Sequence, residues 1–175
     1  MARIDIDFGP VTRITVDAIG QPGQRVFYVQ GSTRDDTITL IIEKIQIQTL
    51  ALGLEQFLDD LKKDHHDLGD TPAEYVEPEM HITPPVDPLF RVGELALGYD
   101  PERDLMVLMA NEVVMEGQNP EEAGVVRFWA TRAQMRAMTH FGVAVANMGR
   151  QICPQCGQPM DPAGHFCPKK NGHKH

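Results

Sequence analysis

One serine, one tryptophan, three cysteines and a shortage of positive charge mark this sequence of 175 residues. Each scarcity excludes something. The lone serine, Ser32, sits in the turn-forming stretch STRDD and reads as a turn residue, and no Gly-x-Ser-x-Gly elbow exists to present a serine nucleophile. No glycine-rich phosphate loop interrupts the chain. No apolar run approaches the roughly 18 residues that a membrane span needs, and no apolar leader follows a charged start, so a soluble, cytoplasmic protein with no membrane partner is expected. The three cysteines are odd in number and all lie in the last 25 residues, which fits a metal site in a reducing compartment, most simply a bacterial cytoplasm, better than a disulfide framework.

Lys and Arg number 16 against 25 Asp and Glu, for a net charge of -9. That balance argues against nucleic acid, whose phosphates are bound through cationic side chains. The charge is uneven, however. Residues 64–88 carry seven acids and neither Lys nor Arg, which leaves only -2 for everything else. Nucleic acid therefore stays a possible partner, and a protein partner is favoured over it.

What is present patterns as α+β: antiparallel β-meanders each followed by a long helix, with a small C-terminal zinc knuckle. IDID, VTRITVDAI, RVFYVQ and TITLII alternate as strands, three or four of them forming a meander. From Glu43 the period changes, and Ile47, Leu50, Leu54, Phe57, Leu58 and Leu61 form the stripe of an amphipathic helix interrupted by Gly53, where close packing is expected. A second set of strands, FRVGELALGY, LMVLMANEVV and VVRFWA, leads to Thr131, which opens a Thr-x-x-Gln capping box, and to a helix marked by Met135, Met138, Phe141, Val145 and Met148 and ended by Gly149. Runs of strands before each helix exclude parallel βαβ units. The division expected is a body, 1–149, of two halves, 1–63 and 89–149, joined by the acidic, proline-rich linker 64–88 running extended over the surface, and a tail, 150–175. The methionines of the second half read as core filling, with an adaptable protein-binding surface as the alternative.

The tail carries the strongest chemical signal. Cys153-Pro-Gln-Cys156-Gly is a C-x2-C turn, and His165 with Cys167 completes a Cys3His set for structural Zn2+, with His173 the alternate ligand. Four protein ligands close the site against substrate. FRVG...LALGYD, VRFWATRAQMRA and the ending CPxCGxPMDPxGHxCPKxNGH resemble a bacterial family of uncharacterised proteins of this length, classed as a domain of unknown function. That resemblance covers essentially the whole chain, matches Cys153, Cys156, His165 and Cys167, and implies zinc without implying an activity.

Other constellations are weaker. Asp64, His65, His66, Asp67 and Asp70 could form an open metal site for a hydrolase, although adjacent histidines on a helix diverge by about 100°. Arginines and aromatics alternate on the strands, Arg127, Phe128 and Trp129 among them, as in sheets that stack single-stranded bases. Lys169, Lys170, His173, Lys174 and His175 make a short basic end. His140 reads as an ordinary helix residue. The sequence thus points to a zinc-binding interaction or accessory module, not an enzyme, with a single-stranded nucleic-acid binder and a metal-dependent hydrolase as the alternatives. It does not give the oligomeric state.

Overall fold

Alternation of apolar residues produces the expected strands, and the partners of two of them are the surprise. The computed structural model describes residues 2–160 and 164–170. In chain order it contains β1 (Asp5–Phe8), β2 (Arg13–Ile19), β3 (Val26–Ser32), β4 (Thr37–Ile42), α1 (Lys44–Asp64), the single turn α2 (Glu77–Met80), β5 (Pro88–Asp100), β6 (Leu105–Glu112), β7 (Val125–Ala130) and α3 (Arg132–Asn147). β2, β3 and β4 pair antiparallel, as do β5, β6 and β7, and each meander precedes a long helix, which is the α+β arrangement read from the sequence.

The two meanders join into one seven-stranded sheet, β1-β7-β6-β5-β4-β3-β2. At the junction β4 and β5 run parallel with α1 between them, a crossover unit that the strand-run reading had excluded. Periodicity identifies a strand but carries no information about its neighbour. Likewise β1 leaves the first meander and lies parallel to β7, with Asp5 beside Val125 and Phe8 beside Phe128.

The chain moves from one margin of the sheet to the other at Gly9. Its φ is +134°, and a Cβ there would sit 2.7 Å from the Trp129 carbonyl oxygen, so glycine is required. Just beyond it, Val11 N–H donates to the Trp129 carbonyl and Thr12 N–H to the Ser32 carbonyl, both at 2.8 Å. The opening segment therefore ties both margins together. The resulting curl brings β3 against β7, close enough that a Cβ on Gly31 would lie 2.6 Å from the Phe128 ring.

Inside the curl, Met106, Leu108 and Ala110 of β6 sit opposite Ala130, Phe128 and Val126 of β7, all fully buried. α1 adds Ile47, Leu50, Leu54, Leu58 and Leu61, and α3 adds Met135, Met138, Phe141 and Val145. Each such side chain contributes roughly 1.5–3 kcal/mol by leaving water. α3 packs on β2, with Gly142 against Val16 and Ile47. Two stripe positions differ from expectation: Phe57 is half-buried and Met148 is exposed beyond the helix. The Thr131 capping box forms in full, and the Arg25 guanidinium donates to the Val145 carbonyl at 2.8 Å in the last turn of α3.

Residues 64–88 do more than cover surface. Arg13 donates to the Glu79 carbonyl (3.2 Å), to Gln30 Oε1 (2.8 Å) and to Thr83 Oγ1 (2.8 Å). The buried carboxylate of Asp17 accepts from Ile82 N–H at 2.9 Å, and Gln30 accepts from Thr83 N–H at 2.9 Å. Met80 enters the core. Polar side chains on β2 and β3 thus hold the segment as a strap, and among the described residues no buried side-chain nitrogen or oxygen lacks a partner. Among those residues, too, no helix is long and apolar enough to cross a membrane.

Candidate metal centre

The tail begins with a small hairpin. Cys153 N–H donates to the Gln158 carbonyl (2.8 Å), Met160 N–H to the Gln151 carbonyl (2.7 Å) and Gly157 N–H to the Cys153 carbonyl (2.9 Å), while Ile152 and Pro159 form an antiparallel bridge. Gly157, at φ +72°, lets the chain turn back after the second cysteine without a Cβ penalty. Cys153 and Cys156 therefore project from one knuckle.

His165 and Cys167 close the set from the segment 164–170. Cys153 Sγ lies 3.8 Å from Cys167 Sγ, and Cys156 Sγ lies 3.2 Å from His165 Nε2. All four ligand atoms fall within 4.8 Å of one another. The three thiols are free, and the sulfur separation is far beyond the roughly 2.05 Å of a disulfide bond. It matches the sulfur–sulfur edge of about 3.8 Å in a tetrahedron whose sulfurs stand about 2.3 Å from a central ion. Cys153 and Cys167 are buried, Cys156 and His165 half-buried.

The backbone N–H groups of Cys156 and Gln155 point at the Cys153 sulfur and draw its pKa down to about 6, whereas burial pushes the Cys156 thiol up. The lowered pKa favours the thiolate, the form that ligates metals. Such a group could hold a metal ion, and four protein donors would fill a tetrahedral shell with no position left for substrate. The alternate ligand His173 lies outside the described residues, as do His175 and Lys174 of the basic end.

The acidic and histidine cluster is not assembled. Among the described residues, Cys153, Cys156, His165 and Cys167 form the one group of three or more ligating side chains close enough to share an ion. The His65 ring instead makes an edge contact with Tyr99, with centroids 5.6 Å apart, while the His65 backbone N–H donates to the Leu61 carbonyl at the end of α1. Asp70 pairs with Lys62.

The sheet arginines and aromatics are largely engaged within the protein. Phe27, Phe90 and Phe128 are buried. Arg127 donates to Asp5 at 2.7 Å, Trp129 Nε1–H donates to Asp7 at 3.0 Å, and Arg103 lies over the Trp129 ring at 4.3 Å. Two carboxylates on β1 thereby engage Arg127 and Trp129, and Asp100 accepts from Arg103 at 3.0 Å.

Two polar clusters had no sequence signal. Arg136 makes a forked contact with Glu55 at 2.9 and 3.0 Å, and His140 Nε2 lies 3.2 Å from the same carboxylate. Asp104, at φ +46°, accepts from Arg132 at 2.9 and 3.1 Å and from the Tyr99 hydroxyl at 2.7 Å. Hydrogen bonds from the arginines hold both carboxyls below the ordinary range. Glu55 and Arg136 lie 81 positions apart, a separation that no local pattern can bridge. Both clusters join secondary-structure elements.

The chain matches, over residues 6–167, the family described as Protein of unknown function (DUF3090), and it belongs to that family. No curated protein and no solved structure matches it.

Proposed function

We propose that this member of the family is a cytoplasmic zinc-binding accessory protein that works through a protein partner and not by catalysis. Cys153, Cys156, His165 and Cys167 would hold one structural zinc ion. The observation that carries the reading is closure of the donor set: four ligand atoms lie within 4.8 Å of one another, two of them on buried thiols. Three thiolates and one imidazole suit zinc among the common divalent ions, and a site without an open position orders the chain instead of activating water. The tail then serves as a clip that fixes the chain beyond α3 and displays Ile152 and Phe166, both exposed, to a partner.

Elemental analysis of protein purified without added metal tests this. One zinc per chain is expected in the wild type, with loss from both His165→Ala and Cys167→Ser. Zinc retained at full affinity in His165→Ala would transfer the fourth position to His173. Substrate turnover that survives removal of residues 151–175 would overturn the non-enzymatic reading.

A further inference from the structure

The charge of the chain is divided between two poles. Residues 148–175 hold Arg150, Lys169, Lys170 and Lys174 against one acid, Asp161, a net +3, whereas residues 1–147 carry -12. The body adds two cations of its own where the tail begins. A Cβ on Gly149 would stand 3.6 Å from Arg25 Nη2 and 3.7 Å from Lys44 Nζ, and one on Gly23 would stand 2.9 Å from Arg150 Cδ. Among the described residues, neither Arg25 nor Lys44 enters an ion pair with a carboxylate. The β2–β3 turn, the start of α1 and the end of α3 therefore meet at a cationic end of an acidic protein. Apolar surface gathers there too. Ile19 and Val26, paired across β2 and β3 beside the turn, are exposed, and Met148, Ile152 and Phe166 are each more than half exposed.

We infer that this end is a docking surface for a short acidic protein segment with apolar side chains interleaved among its carboxylates. The inference names the class of partner for the tail and rests on the reading of the tail as an ordered zinc clip. Cations set among exposed Ile, Val, Met and Phe side chains match such a segment in charge and in apolar character. The charge of the remaining protein decides why the segment is short. Fields between exposed charges reach about 8–10 Å at physiological salt. A nucleic-acid strand or an anionic membrane extends past the cationic end and meets repulsion from a body that carries -12. A short segment can end where the cations end.

Fluorescence anisotropy tests this with the full chain and a labelled peptide of about a dozen residues in which Glu alternates with Leu and Phe. At about 50 mM salt the wild type should bind it with a Kd of about 10–100 µM, weakening as salt rises. Lys44→Glu combined with Lys169→Glu, both at exposed positions, should weaken binding by at least about 10-fold. Phe166→Ala should weaken it by about 3- to 10-fold. Arg34→Glu, in the turn at the far end of β3, should change it by less than about 2-fold. Circular dichroism and zinc content, measured on every sample, separate loss of the surface from loss of the fold. A zinc-loaded wild type that fails to bind, or one whose binding is indifferent to the two lysine reversals, would overturn the inference and leave the zinc reading intact. Tighter binding of an oligothymidylate of equal charge, or of phosphatidylserine vesicles, would also overturn it. A zinc-free wild type that binds the peptide would remove the zinc reading and keep this surface.

Discussion

In the body, Phe128, Leu108, Met135 and Phe141 are sealed between a curled sheet and two helices; in the tail, Ile152 and Phe166 face solvent, and among the described tail residues the two buried side chains are Cys153 and Cys167. The body has an extensive apolar core to fold around, because a chain of this size removes a large fraction of its surface from water. Among the described residues the tail has no such core. Its order rests on a few backbone hydrogen bonds and on whatever the four ligating side chains hold, so its folding free energy should be metal-binding free energy.

Metal removal should separate the two regions most sharply. Structural zinc in small thiolate sites is worth about 10–16 kcal/mol in apparent binding free energy. Chelation, or Cys167→Ser, should therefore abolish amide protection over residues 151–160 and 164–170 in a hydrogen-exchange measurement and leave β6, β7 and α3 protected. Protection that persists in the metal-free tail would show that it folds like the body.

Aromatic truncation gives the next largest effect. Phe128→Ala should cost about 3–5 kcal/mol in denaturant unfolding, since the ring fills the space between β7 and Gly31. Phe166→Ala, in the tail, should change the same transition by less than about 0.5 kcal/mol. Within the body, Thr131→Ala should cost about 1 kcal/mol by removing the cap of α3, whose hydroxyl accepts from Gln134 N–H at 3.0 Å. A Thr131→Ser control should recover most of that loss.

Acid should weaken the body slightly. Glu55 and Asp104 are held below their ordinary pKa by Arg136 and Arg132. A carboxyl depressed in the folded state adds stability above its unfolded value, about 4, and loses it as pH falls through the folded value. Body stability should therefore decline below about pH 4, with a shallower decline in Asp104→Asn. Both carboxylates are substantially exposed, so this effect should be the smallest of the series.

Local information carried the strands, both long helices and the ligand spacing, because each depends on a short-range rule. Alternation in TITLII, the 3.6-residue stripe from Ile47 to Leu61 and the Thr131 box all lie within one element. What escaped lies between elements. β1 beside β7, the parallel β4–β5 junction and the Glu55–Arg136 fork depend on how a curled sheet closes, and IDID looks the same whichever strand it joins. The linker is mostly exposed, as its prolines and acids suggest, but the side chains that anchor it, Arg13, Asp17 and Gln30, lie on β2 and β3, far from it in sequence. Gly53 in mid-helix suggests close packing, yet the space beside it is open, which depends on where neighbouring elements lie and not on local sequence.

X-ray absorption at the zinc edge of the purified full-length protein tests the central claim most directly. A single zinc with three sulfurs at about 2.3 Å and one nitrogen at about 2.0 Å is the expected result. A shell dominated by oxygen and nitrogen, or protein with a folded tail and no zinc, would contradict it.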